Sequence, residues 1–269
     1  YIYGNNILDL LNFSYESFNV NHIILLPGGL KFLFSNKMRN TCKGEKKIIK
    51  RFFFTKINRI SRIGPHNLDV ISLLVGRLLG DRYASKRPEK GTRICFRQSI
   101  VHYDYLMYLY NYLIERGYCT SLLPREYIRR LKNSSKTYIG FEFNTLTFVS
   151  LEFLRTLFYD KNGLKFVSPL LESFITPFVL AIWFIDEGTY VKGSKSIRLA
   201  RNSFTLTEVQ LLQKILKNNF DLNFTVQKVS SQSDTKDKYN LYLLVKDFNK
   251  FKNIVLPYIH NSMLYKLDL

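Results

Sequence analysis

Three carboxylates stand at the ends of two apolar runs. The first run, "LLVGRLLGDR" over residues 73–82, ends on Asp81; the second, "LAIWFIDEG" over 180–188, ends on Asp186 and Glu187. Both runs read as helices. The C-terminus of a helix already carries partial negative charge, so an acid there is poorly placed on its own. Two such acids side by side repel unless a cation sits between them, and oxygen ligands of this kind suit a hard divalent ion, Mg²⁺ or Mn²⁺. Beside a phosphodiester, a metal pair can activate water and stabilise the leaving oxygen of an in-line displacement. The glycines of the first run fit the same picture. Each of Gly76 and Gly80 weakens a helix by about 1 kcal/mol relative to alanine. They lie four apart on one face, which lets a second helix approach backbone to backbone, and the natural partner is the other acid-ended helix.

The elements that must carry these acids occur twice. In the first pass a helix is expected over 69–80, with Asn67 as its N-cap. Strands follow over 83–86 and 93–100, separated by "RPEKG", then an amphipathic helix over 103–117 closed by Gly117. Strands over 125–131 and 138–144 and a helix over 151–159 complete the pass. In the second, Pro177 opens a helix to 186, and strands follow over 189–192 and 196–202. Thr205 and Glu208 form a capping box for the next helix. Strands over 223–229 and 239–245 and a helix over 248–259 end the chain. The matched order predicts an α+β fold: a pseudo-twofold pair of αββαββα domains with two antiparallel four-stranded sheets. The boundaries are 66–165 for the first repeat and 166–269 for the second. Before them, residues 1–65 hold 11 Lys and Arg against 3 Asp and Glu and read as a basic N-terminal extension.

The chain of 269 residues has 40 Lys and Arg against 21 Asp and Glu, a net charge of +19. Such an excess adds self-repulsion to the folded state and points to a polyanionic partner, nucleic acid before membrane. The apolar stretch "IILLPGGLKFLF" is too short to span a bilayer and is broken by Pro27, Gly28 and Gly29. Cys42, Cys95 and Cys119 are an odd number without metal-site spacing, which argues against a disulfide framework or a zinc site. His22, His66, His102 and His260 are scattered singly, so carboxylates and a metal are the better tools for an enzyme here.

"LVGRLLGDR" over 74–82 and "LAIWFIDEG" over 180–188 match, position for position, the nine-residue motif of the LAGLIDADG homing endonucleases. The chain resembles the single-chain, two-repeat, organellar intron-encoded members of that family. The likeness extends through "GTRICFRQSIVHYDYLMYLYNYL", "RNSFTLTEVQLLQKIL" and "SMLYKL" and covers about residues 64–269. It implies a saddle of two sheets straddling double-stranded DNA, with the motif helices as the domain interface (Gly76, Gly80 and Ala181). It also implies a monomer that cuts both strands across the minor groove. Asp81 and Glu187, the eighth-position acids, are then the metal ligands. By position, Lys266 and Lys165 match the basic residues that flank the metals.

Strand periodicity supplies the DNA surface. Arg93 and Arg97 share a face, as do Arg125 and Arg129, and Ser196, Arg198 and Asn202. In 138–144, Ile139, Phe141 and Phe143 are expected in the core, with Tyr138, Glu142 and Asn144 outward. Arginine on such a face reads guanine and asparagine reads adenine in the major groove. Two positions depart from the motif. Arg82 stands where glycine is usual, at a helix end expected to need positive φ, and Glu187 replaces aspartate. Some relatives are maturases, which bind the group I intron RNA that encodes them and assist its splicing. That is the alternative reading, with or without DNA cleavage. The abundance of Asn, Lys, Ile, Phe and Tyr suits AT-rich coding and, with the resemblance, a mitochondrial, organelle-encoded protein.

Overall fold

The computed structural model describes residues 62, 65–80, 82–87, 91–130, 137–200, 204–229 and 238–269. The basic extension expected over 1–65 lies almost wholly outside the described residues, as do Asp81, Asn202, Cys42 and His22. Everything described belongs to one unit of the chain, Arg51–Leu269. Its first pass runs α1 (Leu68–Leu79), β1 (Ala84–Arg87), β2 (Gly91–Ser99), α2 (Tyr103–Glu115), β3 (Arg125–Arg130), β4 (Thr137–Asn144) and α3 (Glu152–Phe158). Its second runs α4 (Pro177–Glu187), β5 (Gly188–Val191), β6 (Ser196–Ala200), α5 (Leu206–Phe220), β7 (Phe224–Val229), β8 (Lys238–Leu243) and α6 (Phe248–Val255). The two sheets are antiparallel and have the same strand order, β1-β2-β4-β3 and β5-β6-β8-β7.

The two motif helices pack on each other, and both are apolar around most of their circumference because they are buried around most of it. In α1, Val70, Ile71, Leu73, Leu74, Val75, Leu78 and Leu79 are all buried; in α4 the run Val179–Ile185 is. Helix starts differ in how they are held. Thr176 caps α4 by accepting from the Val179 amide at 3.3 Å, with Pro177 in the first helical position. Thr205 and Glu208 form the expected capping box on α5. Asn67 occupies the N-cap of α1, but its side chain makes no capping bond. Gly117 closes α2 at φ +80°, in the left-handed region that favours glycine.

Strand alternation holds in outline and fails at three positions. Phe143 is buried, but Ile139 is 39% exposed, paired with the exposed Ile128 two residues from the end of β3. Glu142, expected outward, is buried, because two arginines close over it. Ser196, expected on the DNA face, is also buried, and its hydroxyl donates to the Leu243 carbonyl. Cys95 and Cys119 are buried free thiols. Among the described residues, no helix is long and apolar enough to cross a membrane.

Candidate functional site

The glycines of α1 make the helix contact possible. A Cβ on Gly76 would lie 2.8 Å from Ile182 Cβ and 2.9 Å from the Val179 carbonyl oxygen. One on Gly80 would lie 3.1 Å from Glu187 Cγ and 3.3 Å from Asp186 Cβ. Both acids of the second motif therefore sit against the last turn of α1, one residue before Asp81. Glu187 ends α4 and is 6% exposed. The residues of α4 that meet Gly76 are Val179 and Ile182; Ala181 is buried in the same helix.

Sequence reasoning missed what lies under this contact. Arg77 is fully buried and forms an ion pair with Asp186, whose side chain is 1% exposed. Gln98 Nε2 lies 3.5 Å from the same Asp186 oxygen, and the Arg77 guanidinium lies 4.9 Å from the centre of the Phe96 ring. Tyr105 is buried nearby, its hydroxyl pushed up first by burial and then by the Asp186 charge. The signal was present: an arginine in the middle of "LLVGRLLG", flanked by residues that must be buried, needs a buried acid within reach.

The two family lysines occupy matching places. Lys165 Nζ donates to the Gly80 carbonyl and, at 3.3 Å, to that of Arg82. Lys266 Nζ donates at 3.0 Å to the Gly188 carbonyl. Each lysine thus holds backbone carbonyls just beyond the end of a motif helix, next in sequence to an eighth-position acid. Arg82 does not carry the strain expected of it. The second motif helix passes straight into an extended strand, with Gly188 at φ −77° and ψ 153°, and Arg82 in the first repeat does not have a positive φ. Gly188 is instead needed for space, since a Cβ there would lie 2.0 Å from Phe184 Cδ2. At the matching place the first repeat has Leu78, a smaller side chain, ahead of Arg82.

On the sheet faces, Arg97 and Arg125 are exposed but tied to Glu142, and Arg93 is half-buried. Burial pushes the Cys95 thiol up, as does Glu142, while Arg97, Arg82 and Arg93 pull it back. Arg129 is exposed and Arg198 half-buried, the latter paired across the sheet with Thr189 and Tyr242. His66 bonds Tyr118 Oη at 2.8 Å and Ser150 Oγ at 2.7 Å, and burial lowers its pKa to about 4.

Comparison with known proteins supplies the family. The model of the LAGLIDADG DNA endonuclease family matches residues 71–251. Cytochrome b mRNA maturase bI2 of Debaryomyces hansenii is 33% identical over 204 residues, 76% of this chain and 75% of that one. The Saccharomyces cerevisiae maturase bI2 is 34% identical over 77% of this chain, which spans about half (49%) of its length. Intron-encoded endonuclease ai4 of Dictyostelium discoideum is 34% identical over 60% of this chain and 99% of its own. Among solved structures, the homing endonuclease I-WcaI bound to its DNA recognition sequence superposes with a TM-score of 0.66 at 26% identity, covering 78% of this chain and 90% of that one. With two acid-ended helices packed through glycine and a pair of matching four-stranded sheets, the chain belongs to the LAGLIDADG DNA endonuclease family.

Proposed function

We propose that the chain binds double-stranded DNA across its two sheets and cleaves it site-specifically, as an intron-encoded homing endonuclease with its acids at the ends of α1 and α4. The observation that carries this reading is Glu187 seated against Gly80, one residue from Asp81, with a lysine on the carbonyls beside each motif end. The donor set fits a hard divalent ion: Glu187 is a nearly buried carboxylate at the C-terminus of α4, seated against the end of α1. Among the described residues, no group of three or more His, Cys, Asp or Glu offers a rival site. Asp81 and Glu187 would hold Mg²⁺ or Mn²⁺, which lowers the pKa of bound water and polarises a phosphoryl oxygen. Lys165 and Lys266 hold fixed positive charge beside the phosphodiester. Exposed arginines of the strands bind backbone and bases, and the excess of positive charge makes binding steeply salt-dependent. One chain carries both acids, so it acts as a monomer, and the relatives' cytochrome b messages suit a mitochondrial setting.

The test is DNA carrying the joined exons that flank the host intron, incubated with purified protein and Mg²⁺. Cutting is expected, and Asp81→Asn or Glu187→Gln is expected to slow it roughly a hundredfold or more while gel-shift binding persists. Cutting unchanged in both variants overturns the assignment of the acids. A second reading, RNA maturase, is favoured by the names of two relatives and by the longer Glu187 in place of aspartate. Splicing of the host intron, assayed with wild type and the double acid variant, separates the two: a maturase keeps helping when both acids are gone.

A further inference from the structure

One row across the first sheet is organised differently from the rest of the DNA-facing surface. In register, Arg97 of β2 pairs with Glu142 of β4, which pairs with Arg125 of β3. Glu142 Oε2 accepts from Nε and Nη2 of Arg97, and Oε1 accepts from Nε and Nη2 of Arg125; the two Nε distances are 2.8 and 2.7 Å. Its side chain is 5% exposed, while those of Arg97 and Arg125 are 45% and 75% exposed. Burial alone would raise the Glu142 pKa, yet the two guanidinium groups hold it below the ordinary range, so it stays an anion. Arg97 also lies over the Tyr127 ring, 4.7 Å from its centre. Gly140 makes room for that ring, since a Cβ there would lie 2.5 Å from Tyr127 Oη.

A carboxylate on a face meant for a polyanion costs affinity unless it has another task. Here it occupies the inner edge of both guanidinium forks. That leaves on each arginine the outer edge, one N–H from each terminal nitrogen, which matches O6 and N7 of guanine. We propose that Glu142 is a specificity-determining residue: it presents Arg97 and Arg125 as two pre-set guanine readers, with Tyr127 as a second support for Arg97 alone. The proposal rests on the DNA-binding reading above. Two strand spacings of about 4.8 Å against a rise of about 3.4 Å per base pair put the two guanines within about three base pairs of each other. In the second sheet the matching row, Ala200, Asn240 and Gln227, holds no charged residue.

The test is selection of bound duplexes from a randomised DNA pool, followed by competition binding at the chosen positions, with the melting temperature of each variant recorded. Wild type is expected to select two guanines within that window. Glu142→Gln should lose roughly tenfold of the preference at both positions, yet bind unrelated duplex more tightly, since it sheds a negative charge. A merely structural role would weaken both kinds of binding together. Tyr127→Leu leaves the charges intact and should relax only the guanine read by Arg97, so the proposal stays testable should Glu142→Gln not fold. A wild-type selection without paired guanines, or a folded Glu142→Gln that keeps the preference at both, overturns the inference. A wild type that selects no DNA sequence overturns the DNA-binding reading instead.

Discussion

The first repeat places Gly76, Arg77 and Gly80 where the second places Ile182, Trp183 and Asp186, at the third, fourth and seventh positions of the shared motif. The backbones follow one pattern and the side chains divide the labour. One helix supplies the hollows and the other fills them, with Ile182 against Gly76 and the acids against Gly80. The ion pair is one-sided too: Arg77 comes from the first helix and Asp186 from the second, with no counterpart across the pseudo-twofold axis. On the sheets, the Arg–Glu–Arg row of the first is matched by an Ala–Asn–Gln row in the second. A duplicated chain freed from strict symmetry can make each half specialise, so that an interface that two copies would have to share equally is built from unlike halves.

The strongest way to break that comparison is to remove half of the one-sided ion pair. Arg77→Met leaves Asp186 buried without its cation and is expected to cost about 3–5 kcal/mol, read by urea denaturation. The double variant Arg77→Met/Asp186→Leu should recover most of that loss. A single variant within 1 kcal/mol of wild type would show that the pair does not hold the helices together.

Next in size is an acid limb that His66 gives the first repeat. The second repeat holds its entry segment by Glu172 and Asn218, whereas the first uses the His66 ring between Tyr118 and Ser150. Folding depresses the His66 pKa from 6.5 to about 4, so on acidification the unfolded chain takes up the proton first. Its contribution is complete above pH 6.5 and is lost as pH falls towards about 4, about 3 kcal/mol in all. His66→Gln should flatten that limb in pH-dependent denaturation, and an unchanged limb assigns it to other groups.

The smallest expected effect sharpens the fit of hollow to filling. Gly76→Ala should destabilise by about 1–3 kcal/mol, because neither Ile182 nor the Val179 carbonyl can retreat freely. Combined with Ile182→Ala, it should cost clearly less than the sum of the two single changes, as expected for residues in direct contact.

Much of this was legible in the chain itself. Periodicity located the strands because β-branched and aromatic residues alternate with polar ones, and the capping box at Thr205 marked the start of α5 through chemistry confined to four residues. Arg82 was misjudged because helix termination was assumed to need positive φ. Arg82 has no positive φ, and the glycine at the matching place is there to clear Phe184. Glu142 was expected in solvent because period-two reasoning sees one strand at a time. Its burial comes from arginines on both neighbouring strands, 45 residues before it and 17 before it.

Residue type and spacing within a few turns or strands were enough for the duplicated α+β order and for the family. Packing in three dimensions set which residues of α4 fill the glycine hollows, joined Arg77 to Asp186 across 109 positions, and gave one carboxylate two arginines. Those outcomes depend on the distance and orientation of packed elements. Local propensity carries no record of either.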